Sequence, residues 1–388
     1  METVQTNVES LNTPKIGKVY TVSLAHLFND WYMNYIQTLL PFMVAAGLSI
    51  SKGAFLVSAF TITSSILQPA FGYLVDKRNQ RWMVYAGTAW MAVLLSLIGL
   101  IHNYFLLFIT VALAGLGTAA FHPQASAMVT AVSGEKKGFC QAIFMTAGNI
   151  GWALTPLMIV PLIQIYGMKV TPLFVIPGLI VAVLLLISSP KMDSKKITNP
   201  VSTISVLKSN MRDLSKVVLV VVFRSLAYFG LVAFLPLYLR DKNVSMIVSS
   251  HLLFIMLFCG AIGGLIGGYV SDKIGRKPVI VGTLVAATPL FYLFLNTTAP
   301  FNYLFLALAG AALLASFSVT VVVAQEILDK NAAMASGLML GFAIGIGGLG
   351  VSFFGLLAEH FGTGFAVNLL IILPLISGLL GLGIKTRA

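Results

Sequence analysis

The sequence predicts an all-α membrane protein, with twelve transmembrane helices in two pseudo-symmetric six-helix bundles. Three observations lead there: the apolarity of the chain, its runs of bilayer length, and a repeat relating its halves. Of the 388 residues, 58% are hydrophobic and 9% charged, and the mean hydropathy is +0.95. A soluble domain carries about 25% charged residues, so this composition belongs in lipid.

A helix needs about 20 apolar residues to cross the hydrocarbon core. Such runs fall at 18–46, 53–75, 82–101, 104–132, 137–166 and 170–189, then at 215–239, 247–271, 278–297, 301–327, 332–360 and 364–384. The domain plan that follows is a cytosolic tail over 1–17, a first bundle over 18–189, a cytosolic linker over 190–214 and a second bundle over 215–388. The tail "METVQTNVESLNTPKIGK" is polar and has no signal-peptide pattern.

Net charge is +12, yet the basic residues form no stripe and are not interleaved with aromatics, so no nucleic-acid partner is expected. With both termini placed inside, nineteen Lys and Arg fall on the inner side and four (Lys52, Lys169, Arg240 and Lys242) on the outer side. The positive-inside rule then predicts a plasma or inner membrane protein with both termini cytoplasmic. Cys140 and Cys259 lie far apart in apolar runs and suggest neither a disulfide nor a metal site.

The halves repeat. "GYLVDKRNQR" (72–81) and "GYVSDKIGRK" (268–277) align at an offset of 196, each after the second span of its half, and Phe121 meets Phe317 at the same offset. Such a repeat implies two structurally equivalent bundles. Within it, Gly72 and Gly268 permit close helix approach, and Asp76 and Asp272 can pair with a cation or cap a helix. Arg81, Arg276 and Lys277 can bridge to acids at neighbouring helix ends, with Glu326 the expected partner of Arg276. These residues make a candidate gating set.

Span 1 raises the functional question, because "LAHLFNDWYMNYIQ" (24–37) puts an acid where lipid is expected. A charge at the bilayer centre costs about 3 kcal/mol on insertion scales, so it usually has a job. Asp30 lies roughly 16 Å into the span, near the midplane. His26 is one turn away on the same face, and Asn34 and Gln37 continue approximately along it. Asp30 is the candidate proton carrier, with His26 modulating it and His122, before Pro123 in span 4, a candidate relay. The alternative is an Asp held permanently ionised as a helix lock.

Arg224 is the only cation well inside a span. It is read as binding an anionic substrate, pairing with Asp30, or snorkelling toward the inner surface. Asn34, Gln37 and Tyr228 join it as candidate substrate contacts. Glycines 260, 264 and 268, and glycines 337, 341 and 345, recur every four residues and suggest surfaces where helices touch and slide.

Twelve spans, a central linker and G-x-x-x-D-K-x-G-R-K after span 8, with a copy after span 2 that has Asn79 where Gly275 stands, resemble the major facilitator superfamily. Within it, "HLFND" (26–30), "QPAFGYLVDK" (68–77), "FHPQAS" (121–126), "AQE" (324–326) and "SGLMLGFAIGIGGLG" (336–350) are similar to the fosmidomycin resistance proteins. The resemblance implies a cavity lined by spans 1, 4, 7 and 10, export of a small anionic or amphipathic drug, and proton antiport by alternating access. It departs from many drug/proton antiporters in lacking an Arg in span 4 and in placing Thr155, not Gly, before Pro156. Proton-coupled uptake of a metabolite or metal chelate is the alternative. No nucleotide loop, Ser/His/Asp arrangement or large soluble domain is present, so neither an enzyme nor a cofactor is expected. The partners expected are a small-molecule substrate, protons and the lipid bilayer, around a monomer.

Overall fold

The computed structural model describes residues 14–77, 80–134, 137–190, 203–328, 335 and 337–385. Among the described residues the secondary structure is helical throughout, without strands. The membrane-crossing units are numbered α1 to α12. In the first half, α1 is Ile16–Met33 continued by Tyr35–Ala45, and α2 is Ile50–Thr61, a π-helical turn at Ile62–Ile66, and Gln68–Lys77. Then come α3 (Trp82–Leu97), α4 (Tyr104–Val132), α5 (Lys137–Tyr166) and α6 (Val175–Ser188). The second half holds α7 (Thr203–Asp241), α8 (Met246–Ile274) and α9 (Arg276–Asn296). It continues with α10 (Phe301–Ala315 with Phe317–Ile327), α11 (a π-helical Leu338–Ala343 with Ile344–Phe361) and α12 (Thr363–Leu370 with Leu373–Gly381).

Eleven of these helices are long and apolar enough to cross a membrane. The remaining unit, α1, is interrupted at Asn34 and carries the polar residues that lower its hydropathy. Part of the polar middle stretch is helical. Residues 191–202 lie outside the described residues, but from Thr203 the chain is already helical, and α7 runs 39 residues without a break. At 1.5 Å per residue that is roughly 58 Å, well beyond the 30 Å core, so its first turns extend past the apolar region.

Within each half, glycines set the closest approaches. A Cβ on Gly151 of α5 would lie 2.7 Å from the carbonyl carbon of Leu27, and one on Gly87 of α3 would lie 2.6 Å from the Gly117 oxygen of α4. In the second half the stripe facing α10 is Gly260, Gly263 and Gly267, where added Cβ atoms would strike Leu314, Ala311 and Ala315. Gly264 and Gly268 have more room, with nearest contacts of 3.4 and 3.1 Å, and Gly337 meets nothing within 4 Å. The every-fourth-residue register read from sequence is therefore rotated by one position on α8. Spacing alone does not say which side of a helix the neighbour occupies.

The halves meet along α2 with α11, α5 with α8, and the second part of α1 with α7. Polar links crossing this seam cluster at the end away from the chain termini. Ser51 N donates to Glu359 Oε2 at 2.8 Å, and Arg240 Nη1 donates to the Pro41 oxygen at 3.2 Å. Ser58 Oγ donates to the Gly348 oxygen at 3.1 Å and accepts from Ser352 Oγ at 2.6 Å. By contrast, among the described residues neither Ile16–Met33 nor Gln68–Lys77 packs extensively on the second half. Among the described residues the halves are thus linked by side chains mainly at the far end.

Candidate functional site

His26 and Asp30 stand one turn apart on α1, with His26 Nε2 at 3.3 Å from Asp30 Oδ2. His122, delivered by α4, places Nε2 at 2.9 Å from the other carboxylate oxygen, Oδ1. Each histidine is held from behind. His26 Nδ1 lies 2.7 Å from the Phe144 backbone oxygen on α5, and its ring stacks on the Phe144 ring at 3.9 Å. His122 Nδ1 lies 3.4 Å from Gln68 Nε2 on α2, which in turn donates to the Ser64 oxygen at 2.8 Å. Gly148 closes the site so tightly that a Cβ there would sit 2.6 Å from Asp30 Oδ2.

Asp30 and His122 are 15% and 19% exposed, against 4% for His26, so solvent reaches the cluster on the carboxylate side. The donor atoms of His26, Asp30 and His122 lie within 4.8 Å of one another, a spacing a transition-metal ion could bridge. Direct contacts of hydrogen-bond length account for the same arrangement with protons alone.

Arg224 on α7 is 2% exposed, which removes the snorkelling reading. Its Nη1 donates to Thr320 Oγ1 at 3.2 Å, and the guanidinium lies 4.9 Å from the centroid of the Phe317 ring, both on α10. Among the described residues no carboxylate lies within 4.0 Å of it, and the ionic partners of Asp30 are the two histidines. The expected Arg224–Asp30 pair is therefore not formed in this state. Tyr228, one turn further along α7, packs across the seam on Trp152 at 6.2 Å. The internal repeat reappears here. Phe121 stands 6.2 Å from the His26 ring, and its counterpart Phe317 faces Arg224.

Two residues expected on the polar wall, Asn34 and Gln37, are buried. Asn34 is fully buried and donates from Nδ2 to the Trp152 oxygen at 2.9 Å, tying α1 to α5 at the break in α1. Gln37 is 3% exposed in the same packed region, with its Oε1 unpartnered. Asn34, with φ −86° and ψ 0°, stands between Ile16–Met33 and Tyr35–Ala45.

The repeated loop motif is described in full only in its second copy. Arg276 Nε lies 3.3 Å from Glu326 Oε1, its Nη1 donates to Ser271 Oγ at 2.7 Å, and it also pairs with Asp272. In the first copy Arg81 reaches no acid among the described residues. It donates to Ser189 Oγ and to the Leu186 oxygen, both at 2.7 Å, where the C-terminus of α6 offers unpaired carbonyls. The Asp76 side chain is outside the described part. A Cβ on Gly72 would lie 3.8 Å from Pro123, in ordinary contact, Gly268 faces Ser318, and Lys277 forms no ion pair among the described residues.

The family model described as Major Facilitator Superfamily matches residues 22–349 and 217–387. The chain belongs to the major facilitator superfamily. It is an integral membrane transporter rather than an enzyme. It is 32% identical over 368 residues to the fosmidomycin resistance protein of Escherichia coli (strain K12), covering 93% of this chain and 91% of that one. It is 30% identical over 386 residues to the uncharacterized MFS-type transporter YfnC of Bacillus subtilis (strain 168), covering 94% and 93%. In fold it is similar to a bacterial homologue of the human lysosomal transporter Spinster, with a TM-score of 0.78 at 15% identity over 94% of this chain and 95% of that one.

Three residues of the transporter's site were not singled out from sequence: Gln68, Phe144 and Gly148. Gln68 carried a usable signal, being an amide inside an apolar span and part of "QPAFGYLVDK". Phe144 acts through its backbone oxygen, which no side-chain pattern reveals. Gly148 is one of two glycines three apart in "GNIG", a hint of close approach without a hint of to what.

Proposed function

We propose that the protein is a proton-coupled antiporter that exports a small anionic or amphipathic drug of the fosmidomycin type. The observation that carries this reading is the buried guanidinium of Arg224 with no acid in ion-pair range. The effective penalty for burying an ion is several kcal/mol. One hydrogen bond to a hydroxyl and one aromatic face return about 1.5–3 and 0.5–2 kcal/mol at best. A substrate anion supplies the missing counter-charge, and the planar guanidinium suits carboxylate or phosphonate oxygens. The identity to a fosmidomycin resistance protein supports the same class.

The second element is the His26–Asp30–His122 cluster as the proton site. Coupling requires that substrate and proton prefer different conformations, since a ligand without differential affinity shifts nothing. With the termini in the cytoplasm, the end away from the cross-seam links faces inward and presents both sites to cytosolic substrate. Release follows when the far-end contacts of Glu359 and Arg240 open. Each half supplies part of this pathway, so one chain suffices and the working unit is a monomer in the cell membrane.

The test uses purified protein in liposomes with an internal pH dye and an imposed proton gradient. Fosmidomycin is added to wild type, Asp30→Asn and Arg224→Ala. Substrate-triggered proton movement in the wild type that vanishes in both variants is the expected outcome. Equal movement in Asp30→Asn removes Asp30 from coupling. Substrate flux along the proton gradient direction, instead of against it, replaces export with proton-coupled uptake.

A further inference from the structure

Hydrogen positions around Asp30 follow from the chemistry of the partners. A backbone carbonyl only accepts, so His26 Nδ1, 2.7 Å from the Phe144 oxygen, carries a hydrogen. A neutral imidazole has only that one, which leaves Nε2 as a bare lone pair 3.3 Å from Asp30 Oδ2. A lone pair facing a carboxylate in a buried site repels it. The contact becomes attractive only when one proton lies between them, on the ring or on the carboxyl.

His122 is set the opposite way. Gln68 presents its amide nitrogen to the Ser64 oxygen at 2.8 Å, because only the nitrogen can donate to a carbonyl. The same NH2 group faces His122 Nδ1 at 3.4 Å, so Nδ1 accepts. The hydrogen of His122 is then on Nε2, donating to Asp30 Oδ1 at 2.9 Å. That bond is complete with His122 neutral and Asp30 ionised. The two histidines, alike in sequence, are unlike in role.

We propose that Gln68 is a positioning residue that holds His122 as a neutral Nε2–H donor and so confines the coupling proton to the His26–Asp30 pair. The proposal rests on the proton-coupled reading above. The step is a single transfer. An O–H bond of hydronium at the open end breaks as its proton bonds to His26 Nε2 or Asp30 Oδ2, leaving water, and the same proton returns to water when the site opens to the other side. The groups facing the pair are few. His122 comes from α4 and Tyr228 from α7, α5 supplies Phe144 and Gly148, and no Lys or Arg lies within 4.0 Å of Asp30 among the described residues. Gln68 follows the π-helical turn of α2, the helix that also packs along α11. The helix that joins the halves therefore also sets the His122 tautomer.

The test is nitrogen NMR of the full-length transporter in liposomes, with its five histidines labelled and His122 assigned from the signal lost in His122→Asn. In wild type, His122 is expected as the Nε2–H neutral form, and a second N–H, where one is present, is expected on His26. In Gln68→Leu the amide N–H that faces Nδ1 is gone while Nε2–H still donates to Asp30, so His122 is expected to acquire a second hydrogen on Nδ1. In Gln68→Glu a carboxylate faces Nδ1 and His122 acquires both hydrogens. A wild-type His122 that itself gains a second proton, or a His122 signal unchanged in Gln68→Leu, overturns the proposal. Proton movement triggered by fosmidomycin is recorded in the same liposomes. Its absence beside the expected wild-type tautomers fails the antiport reading and not the assignment of Gln68.

Discussion

Gly148→Ala is the smallest change that reaches the proton cluster without touching its members. The added Cβ would lie 2.5 Å from His26 Cε1, 2.6 Å from Asp30 Oδ2 and 2.7 Å from His26 Nε2. Ordinary contact begins at 3.4 Å, so the cluster must yield by about 0.8 Å, a misplacement that can cost on the order of a hundredfold in rate. Neither partner can retreat freely. His26 is hydrogen-bonded to Phe144 on the same helix as Gly148, and Asp30 is held by His122. The 3.3 Å contact between His26 and Asp30 is the one that opens. Overpacking of this kind also costs about 1–3 kcal/mol of stability, so monodispersity by size exclusion accompanies the flux assay. Substrate-triggered proton movement is expected to fall by about 10- to 100-fold, with the protein still folded. Gly282→Ala, where an added Cβ meets nothing within 4 Å, is the matched control. Wild-type proton movement in Gly148→Ala would refute the view that the His26–Asp30 contact carries coupling.

Other expectations follow from the same geometry. Arg224→Met removes an unpaired buried charge, so thermal unfolding without substrate shifts upward, by on the order of 1 kcal/mol or more, while the stabilisation by fosmidomycin disappears; a lower melting temperature would mean that Arg224 already has a counter-charge. Glu359→Ala deletes the carboxylate that receives Ser51 N across the seam. At this exposed site the loss is worth about 1 kcal/mol, roughly a fivefold shift toward the far-end-open state, read as spin-label distances between α2 and α11. Gly263→Val drives a side chain against the Ala311 backbone, 2.5 Å from its Cα, and is expected to lower stability by about 1–3 kcal/mol. Gly264→Ala, with its nearest atom at 3.4 Å, is expected to stay within about 0.5 kcal/mol in the same thermal unfolding assay.

Hydropathy and spacing in one dimension determine the membrane class, the spans and the internal repeat, because bilayer thickness and helical rise convert run length directly into a crossing. They also single out His26 with Asp30, since residues four apart share a helix face whatever surrounds them. The pairing of Arg276 with Glu326 was legible too, from their places at the ends of neighbouring spans. Tertiary structure decides what each helix turns toward its neighbours. It brings His122 from 92 residues away onto Asp30, sends Asn34 to the Trp152 carbonyl, and leaves Arg224 without an acid. It also selects Gly263 and Gly267 over Gly264 and Gly268 as the contact stripe. The physical reason is that helix rotation and partner choice in lipid arise from close packing between surfaces distant in sequence, and a one-residue difference in register turns a helix by about 100°.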